Sequence, residues 1–368
     1  MLTRRVLMTQ AAALAFAVTL PMTPSFADGL SDAQAVVDRH AGRKTAWDGP
    51  TSGPAAAEGK SIVVLAADLK NGGILGVTNG IEEAAEAIGW EVRVLDGAGS
   101  ISGRTAAFNQ AMALSPDGIV INGFDAVEQQ AGLDAAAESN IPLVAWHAAP
   151  VIGPVEGTPV IANVSTDPME VSAAAASWAF VDAGGAPKVV IFTDSTYQIA
   201  IAKADRMKEE IEKLGGEVLE YVDTPIADTS TRMPQLTTTL LQRHGAEWTH
   251  SLAINDLYFD FMGPSLQAAG IDGEGAPKAV AAGDGSESAY QRIRGAQYQA
   301  VTVAEPLNLQ GWQLVDELNR AFAGEEWSGY ASPLHVVTAG NIEFDGGEDN
   351  VFDPENGYRD EYKKIWGK

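Results

Sequence analysis

Short runs of β-branched and other apolar residues alternate with alanine-rich stretches of helical period from Ser61 onward, which restricts the chain to few folds. Strands that are apolar along their whole length are typical of parallel sheets covered by helices on both faces. The first half gives strands at 62–66, 91–95, 118–121 and 142–146, and helices at 76–88, 104–115 and 126–138. The second half gives strands at 188–193, 217–222, 251–254, 279–282 and 300–304, and helices at 200–214 and 233–243. The sequence therefore predicts an α/β protein.

The number of strands predicts two lobes. About ten strands are too many for one small doubly wound sheet, whereas two sheets accommodate them. The chain divides near residues 163–168, a polar stretch that ends in proline after a strand. Thr166 or Asp167 is predicted to cap the helix that has Pro168 in its first turn. No long disordered linker separates the halves, and lobes joined by short crossings move as hinged bodies.

The N-terminus has the three regions of a cleavable signal peptide: Arg4 and Arg5, an apolar core, and small residues before Asp28. Residues 1–27 are predicted to form this leader, and the paired arginines resemble the twin-arginine type. The apolar core is too short for the ~20 residues that span a bilayer. The chain is therefore predicted to be exported. Residues 28–60, rich in Ala, Gly and Pro, are predicted to form an extension outside the main body.

Charge and cysteine content limit which partners and which kinds of membrane attachment the protein can have. Removing the two arginines of the leader leaves 22 Lys and Arg against 49 Asp and Glu, a net charge of −27. Such a surface repels phosphate backbones and anionic lipid headgroups, so neither nucleic acid nor a membrane surface is a predicted partner. No cysteine occurs, which excludes disulfides, thiol nucleophiles and a lipid-modified cysteine anchor. The sequence predicts a soluble exported protein that is not lipid-anchored.

Carboxylates, amides and aromatic residues follow most of the predicted strands, at the ends where open parallel sheets gather their ligands. Carboxylates and amides hydrogen-bond to vicinal hydroxyls, and aromatic faces pack on the C–H face of a sugar ring or polyol. The same residue types are also common in turns and helix caps. The set predicts a neutral, hydroxyl-rich ligand, and its candidate contacts are Lys70, Asn71, Phe124, His147, Tyr197, Asn255, Asp256, Asp284 and Glu305.

Catalytic and metal-binding signatures are missing from the sequence. It has no Gly-x-Ser-x-Gly elbow, no His-Glu-x-x-His and no Gly-x-x-x-x-Gly-Lys phosphate loop. The histidines show no metal-ligand spacing, and the acidic stretch 345–350 lacks the order of a calcium loop. The prediction is a protein without catalytic residues, metal ligands or a cofactor.

Two segments in the second half carry a family resemblance. Residues 253–256 read Ala-Ile-Asn-Asp and residues 280–285 read Val-Ala-Ala-Gly-Asp-Gly, and 303–306 follow as Val-Ala-Glu-Pro. In this order they resemble the strand ends of the ribose- and galactose-type periplasmic sugar-binding proteins, the type I solute-binding proteins of ABC importers. The resemblance extends from about Ser61 to Phe322. It implies a sugar or polyol ligand and no enzymatic activity.

Carried over position by position, the resemblance implies ligand contacts at Lys70 or Asn71, His147, Asp228, Asn255, Asp284 and Glu305. Lys203 aligns poorly with a basic residue of the family. The chain departs from the family where 71–74 read Asn-Gly-Gly-Ile instead of Asn-Pro with two phenylalanines, and where His147-Ala148 replaces Asp-Arg. Ribose is therefore disfavoured, and Phe124, Tyr197 or Tyr258 would supply the aromatic contact to another sugar or a polyol.

The resemblance also implies the architecture and the partner. Two doubly wound parallel-sheet lobes would be joined by a three-crossing hinge, one lobe comprising 61–164 plus 306–336 and the other 165–305 plus 337–368. A ligand that bridges both lobes would shift the hinge towards its closed form. The closed protein, a periplasmic monomer, would then deliver the solute to an ABC transporter permease.

Two alternatives stay open at this stage. An exported carbohydrate-acting enzyme, such as a glycoside hydrolase, would need two carboxylates about 5 to 9.5 Å apart across the cleft. Asp256 and Asp284 are the candidates for that pair. The other alternative keeps the binding fold and makes its partner a chemoreceptor or sensor kinase.

Overall fold

The computed structural model describes residues 26–368 and has two lobes, each built on its own sheet. The first sheet contains β1 (Ser61–Ala66), β2 (Glu91–Asp96), β3 (Gly118–Asn122), β4 (Leu143–Trp146) and β5 (Val160–Val164). The second contains β6 (Lys188–Thr193), β7 (Glu217–Asp223), β8 (His250–Ala253), β9 (Lys278–Ala281), β10 (Gln299–Ala304) and β11 (His335–Thr338). Nearly all of the leader predicted at 1–27 lies outside the described residues.

The strand orders are β2-β1-β3-β4-β5 and β11-β10-β9-β8-β6-β7, and only β11 runs antiparallel to its neighbour among these strands. Helices cover both sheets: α1 (Phe26–Ala41), α2 (Gly72–Ile88), α3 (Ile101–Leu114), α4 (Gln130–Glu138), α5 (Pro168–Asp182), α6 (Gln198–Leu214), α7 (Thr229–His244), α8 (Gly263–Ala268), α9 (Glu287–Arg294), α10 (Leu307–Ala323) and α11 (Tyr358–Trp366). The predicted fold class, two doubly wound parallel-sheet lobes, is confirmed. Within residues 26–368 no helix is both long and apolar enough to cross a membrane.

Strand register brings the carboxyl ends of neighbouring strands to one edge of each sheet. In the first sheet Ala66 pairs with Asn122, and Asn122 pairs with Trp146. In the second, Phe192 pairs with Ala253, which pairs with Ala281. Residues that follow these strands are therefore neighbours in space, which is the condition for a binding site at the sheet edge.

Segments 165–167, 305–306 and 324–334 connect elements of different lobes, and the last of them precedes β11, whereas the predicted boundary follows residue 336. Segments 42–60 and 339–357 also pass between the lobes, because α1 packs on the second lobe and α11 on the first. Asp167 caps α5, because its side chain accepts hydrogen bonds from the backbone N–H groups of Met169 and Glu170. The predicted cap is thus confirmed, with Asp167 in that role.

The segment 28–60 packs on both lobes, so the prediction of an extension outside the main body is wrong. Ala33 and Val37, one helical turn apart on α1, are buried, and α1 contacts α5 and β11 of the second lobe. Farther along, the backbone N–H of Ala56 donates to the carbonyl of Trp366 at 3.0 Å on the first lobe. The apolar face of α1 explains why the helix packs on the second lobe, because burying apolar side chains stabilises the folded protein.

The C-terminal helix belongs to the first lobe, which corrects the assignment of 337–368 to the second. On α11, Trp366 stacks on Trp312 of α10 with ring centroids 5.4 Å apart, and its indole N–H donates to Asp316 at 2.8 Å. Strand β11 lies in the second sheet, although its first residues fall within the predicted 306–336 segment. Helical spacing of Tyr358, Tyr362 and Trp366 gives α11 an aromatic face that must be buried.

Candidate functional site

A cavity of about 60 Å³ lies between the lobes, lined by residues that follow strands of both sheets. One water needs about 10–15 Å³ of such volume, so the cavity has room for roughly four to six waters. This is comparable to the space that a single sugar ring fills. The lining residues are Ala67, Asp68, Asn71, Ile74, Gly99, Gly123, Trp146 and His147 from the first lobe, and Tyr197, Ile199, Ala200, Lys203, Ile226, Ala227, Ile254, Asn255 and Asp284 from the second. We call this cavity the interlobe pocket.

The first turn of α2 lies directly against a turn of the second lobe. A Cβ atom placed on Gly72 would come within 2.6 Å of the Cβ of Ser286, and one on Gly73 would overlap the carboxylate of Asp284. The absence of a Cβ atom on these two glycines therefore permits this close approach.

Two further contacts join the lobes beside the pocket. Asp125 of the first lobe accepts a hydrogen bond from the backbone N–H of Gln198, at the start of α6, with 2.9 Å between Oδ2 and N. The Arg104 guanidinium lies over the Tyr197 ring, 5.5 Å from its centroid. These contacts and the glycine approach describe a closed arrangement of the lobes.

His147 follows β4 directly and lines the pocket. Its ring packs flat on Trp146, with the ring centroids 3.7 Å apart. Its backbone φ of 55° lies in the left-handed region that residues other than glycine rarely adopt. Nε2 lies 3.0 Å from Oε2 of Glu305. Burial lowers the pKa of His147, and this outweighs the opposing effect of Glu305. The ring is therefore neutral at pH 7 and donates its Nε2–H to Glu305.

Glu305 follows β10 and is only 1% exposed. Its Oε2 also accepts from the Gln310 side chain at 3.1 Å and from the backbone N–H of Thr166 at 3.3 Å, and its Oε1 lies 3.6 Å from Nζ of Lys203. Burial alone would raise the pKa of Glu305, but the hydrogen bonds from His147 and Gln310 and the Lys203 ammonium hold it below its ordinary value. The carboxylate is therefore ionised, and the buried Lys203 ammonium compensates its charge.

Asp284 presents a carboxyl group that is buried and unpaired. Its side chain lines the pocket at 5% exposure, and no hydrogen bond or ion pair engages its carboxyl oxygens within residues 26–368. Burial raises the pKa of Asp284 to about 8, with Glu305 adding to this rise and Lys203 opposing it. At pH 7 the group is mostly protonated, so it has both a donor and an acceptor to offer a ligand.

Asn71, Asn255 and Tyr197 complete the polar and aromatic lining. The Asn71 side-chain oxygen caps α2 by accepting from the Gly73 N–H at 2.9 Å, and that of Asn255 accepts from the Leu257 N–H at 3.2 Å. Both caps leave the amide NH₂ groups available as donors. The structure thus brings Asn71, Tyr197 and Asn255 together with His147 and Asp284 in one pocket, with Glu305 directly behind His147.

Two predicted contact residues lie outside the pocket. Lys70 is exposed, in the turn before α2, and contributes only a backbone N–H to Asp68. Asp228 is exposed and pairs with Arg232 of α7, with 3.5 Å between Oδ2 and Nε. The short 3₁₀ turn at Ile226–Asp228 places its first two residues along the pocket and Asp228 away from it.

Three other predicted residues have packing or structural roles. Phe124 lies in the core of the first lobe, and Tyr258 is fully buried with its hydroxyl donating to a backbone carbonyl at 2.8 Å. Asp256 accepts hydrogen bonds from the backbone N–H groups of Gly285 and Ser286 at 2.8 and 3.0 Å. Burial raises the pKa of Asp256, which does not line the pocket. It fixes the turn that carries Asp284.

The apolar part of the pocket was not predicted from the sequence. Trp146, which packs in the core of the first lobe, also forms the surface under His147. Lys203, which aligns poorly with the family, lines the pocket beside Glu305. Four isoleucines also line the pocket, at 74, 199, 226 and 254. Each stands in or beside an apolar run, so only the position after a strand end distinguishes it from a core residue.

The donor set nearest to a metal site in the described part of the chain is His147, Asp284 and Glu305. Their ligand atoms lie within 4.8 Å of one another. Lys203, however, already places a positive charge 3.6 Å from Glu305. A divalent ion would meet that charge and compete with the His147 hydrogen bond.

Comparisons with known proteins agree with the geometry. A family model described as a periplasmic binding protein domain matches residues 62–326. Among curated protein sequences no match was found.

Solved structures of transport proteins are similar in fold. A sugar ABC transporter subunit from Rhodobacter sphaeroides 2.4.1 has a TM-score of 0.66 at 19% identity and covers 77% of this chain and 99% of its own. A solute-binding protein from Agrobacterium vitis with bound allitol has a TM-score of 0.66 at 19% identity and covers 78% of this chain and 97% of its own. Another from that organism, bound with α-D-tagatopyranose, has a TM-score of 0.68 at 15% identity and covers 80% of this chain and 99% of its own. Because the family model spans most of the sequence, this chain belongs to the periplasmic binding protein family.

Proposed function

We propose that this chain is the periplasmic solute-binding component of an ABC importer and binds a sugar or polyol in the interlobe pocket. The observation that carries the proposal is the buried, unpaired Asp284 carboxyl group, which faces a cavity of about the size of one sugar ring beside His147 and Asn255. Such groups bind vicinal hydroxyls in water-excluded sites. The solved relatives with allitol and α-D-tagatopyranose support this class of ligand.

The proposed mechanism is binding without chemistry. A solute that contacts both lobes stabilises the closed form, because the open form offers only part of the same contacts. The closed protein, exported, soluble and monomeric, would then dock on the permease and release the solute when the lobes separate. No residue is assigned a catalytic role, and the solute leaves unchanged.

A thermal-shift panel of pentoses, hexoses and polyols on the mature chain tests the proposal. A ligand at 100 times its dissociation constant adds about 2.7 kcal/mol to the free energy of unfolding. Asp284→Ala is expected to abolish the shift while still melting cooperatively. Asp228→Ala, which changes an exposed aspartate outside the pocket, is the matched control and is expected to keep it. A panel without any shift, or a sugar consumed during incubation, contradicts the proposal.

A further inference from the structure

Carboxyl groups outnumber cationic groups in and directly behind the interlobe pocket. Asp68 and Asp284 line it, and Glu305 lies behind His147. Among the described lining residues, Lys203 is the one Lys or Arg, and its Nζ lies 3.6 Å from Oε1 of Glu305. In residues 26–368 no ion pair joins this ammonium group, or any other cation, to the two carboxyl groups that line the pocket. Those two groups therefore lack a cationic partner from the protein.

The guanidinium group of Arg104, which lies over the ring of the pocket residue Tyr197, is engaged away from the pocket. It donates two hydrogen bonds to the Glu128 carboxylate, one of them with 2.8 Å between Nε and Oε1. Neither Arg104 nor Glu128 lines the pocket. Because this forked pair fixes the guanidinium group on Glu128, Arg104 does not supply the missing cation. A bound ligand is then the remaining source of a positive charge beside Asp284.

Asp284 is the lining carboxyl group that most needs a partner. It is 5% exposed, and its carboxyl oxygens have no hydrogen-bond or ion-pair partner within the described chain. Ligand atoms of His147 and Glu305 lie within 4.8 Å of its own. Burial raises the pKa of Asp284, with Glu305 and Asp256 adding to the rise and Lys203 opposing it. A positive charge placed beside this group would favour its ionised form.

An ammonium group would bind Asp284 more strongly than a hydroxyl group does. It donates up to three hydrogen bonds, and its pair with a carboxylate is charge-assisted, which makes each bond roughly twice as strong as a neutral one. The pKa of Asp284 is about 8, close to neutral pH, so the loss of its proton costs little against that gain. Charge thus distinguishes an amine from a hydroxyl at this position.

We propose that the ligand is an amino sugar or amino polyol, whose ammonium group pairs with Asp284 and whose hydroxyl groups bind the amides of Asn71 and Asn255. This inference rests on the proposed sugar-binding function and specifies its ligand class. In the complex two ammonium groups, those of the ligand and of Lys203, would balance the buried carboxylates of Asp284 and Glu305. The ligand predicted from the sequence would then be hydroxyl-rich, as expected, but positively charged instead of neutral.

Calorimetric titration of the mature chain with matched pairs tests the inference. The pairs are D-glucosamine with D-glucose, D-galactosamine with D-galactose, D-mannosamine with D-mannose, and D-glucamine with D-sorbitol, and in each pair one hydroxyl group is exchanged for an amino group. We expect the amino member of at least one pair to bind about 10- to 100-fold more tightly. If sugars or polyols bind but every parent binds at least as tightly as its amino partner, this inference is overturned while the sugar-binding function stands. If no sugar, polyol or amino derivative binds, the proposed function fails, and this inference fails with it.

A pair of aspartate variants tests whether Asp284 carries the preference for the amine. Asp284→Asn keeps the size of the side chain and its capacity for hydrogen bonds but cannot ionise, so the affinity ratio between amino and parent member is expected to fall towards one. Asp228→Asn makes the same change at an exposed aspartate that does not line the pocket, and it is expected to leave the ratio unchanged. An unchanged ratio in Asp284→Asn, or the loss of binding of both members, would place the ammonium group elsewhere and overturn the assignment.

Discussion

His147 and Glu305 are joined at 3.0 Å between Nε2 and Oε2, and this contact connects the ligand pocket to the hinge. Glu305 lies in the 305–306 crossing and accepts from the backbone N–H of Thr166 in the 165–167 crossing. Thr166 in turn lies 3.1 Å from the hydroxyl of Ser332, in the third crossing. One buried carboxylate thus links the pocket to the segments 165–167 and 305–306 and, through Thr166, to 324–334.

Removing the positive charge beside Glu305 should destabilise the protein. Lys203→Met leaves a carboxylate at 1% exposure without its ammonium partner, 3.6 Å away in the wild type. We expect the free energy of unfolding, measured by urea denaturation, to fall on the order of 3 kcal/mol. The double variant Lys203→Met/Glu305→Gln should recover part of this loss. Identical urea midpoints for the single variant and the wild type would show that the ion pair does not stabilise the fold.

Asp284 should make the ligand-free protein less stable as the pH rises. Its pKa is about 8 in the folded protein, whereas an unfolded aspartate has a pKa of about 3.9. Below about pH 4 both states are protonated and the group contributes nothing. Between pH 4 and 8 the unfolded chain loses a proton that the folded one keeps, which favours unfolding, and above pH 8 the penalty is constant.

The variant Asp284→Asn cannot ionise and isolates this effect. We expect its unfolding free energy minus that of the wild type to increase from pH 4 to pH 8, by at most about 1.36 kcal/mol per pH unit, and then to level off. Urea denaturation of both proteins at several pH values measures the difference. A difference that does not change with pH would show that Asp284 titrates normally in the folded state.

Gly73→Ala should prevent full closure. An added Cβ would overlap the Asp284 carboxyl group across the cleft, so the lobes could not reach the observed approach. We expect weaker ligand binding with little loss of ligand-free stability, as measured by calorimetry and thermal melting. Gly42→Ala is the control, because a Cβ there meets nothing within 4 Å. Wild-type affinity in Gly73→Ala would mean that the ligand-bound state is more open than this structure.

Chelation of metals should not affect ligand binding. The donors His147, Asp284 and Glu305 are close enough to hold an ion, but the nearby Lys203 ammonium already compensates the Glu305 charge. We expect the ligand-induced thermal shift to be the same after EDTA treatment and dialysis. Loss of the shift, and its recovery on adding a divalent cation, would instead identify the three residues as a metal site.

Local sequence patterns predicted most of the strands and five of the residues that line the interlobe pocket, because such patterns act over a few residues. Apolar runs defined the sheets, and residues after the strands, such as Asn255 and Asp284, reached the pocket because register aligns the strand ends. The predicted contact residues that lie outside the pocket depend on the direction in which a single side chain points. A one-turn 3₁₀ helix turns Asp228 outward, and the backbone N–H groups of the 285–286 turn bind Asp256.

Packing between segments that are far apart in the sequence could not be predicted from the sequence either. The alanine and proline content of 28–60 indicated an extension, whereas Ala33 and Val37 anchor α1 on the second lobe. The aromatic face of α11 pairs with α10, an element separated from it by a strand of the other sheet. Neither partner can be identified from local spacing.

The most direct test of the central claim, that a small sugar or polyol is held unchanged between the lobes, is calorimetric titration with the ligand that gives the largest thermal shift. We expect saturation at one site per chain, a negative heat-capacity change from burial of apolar surface, and recovery of the ligand unaltered. No saturable binding by any sugar or polyol, or recovery of a cleaved or modified product, would contradict it.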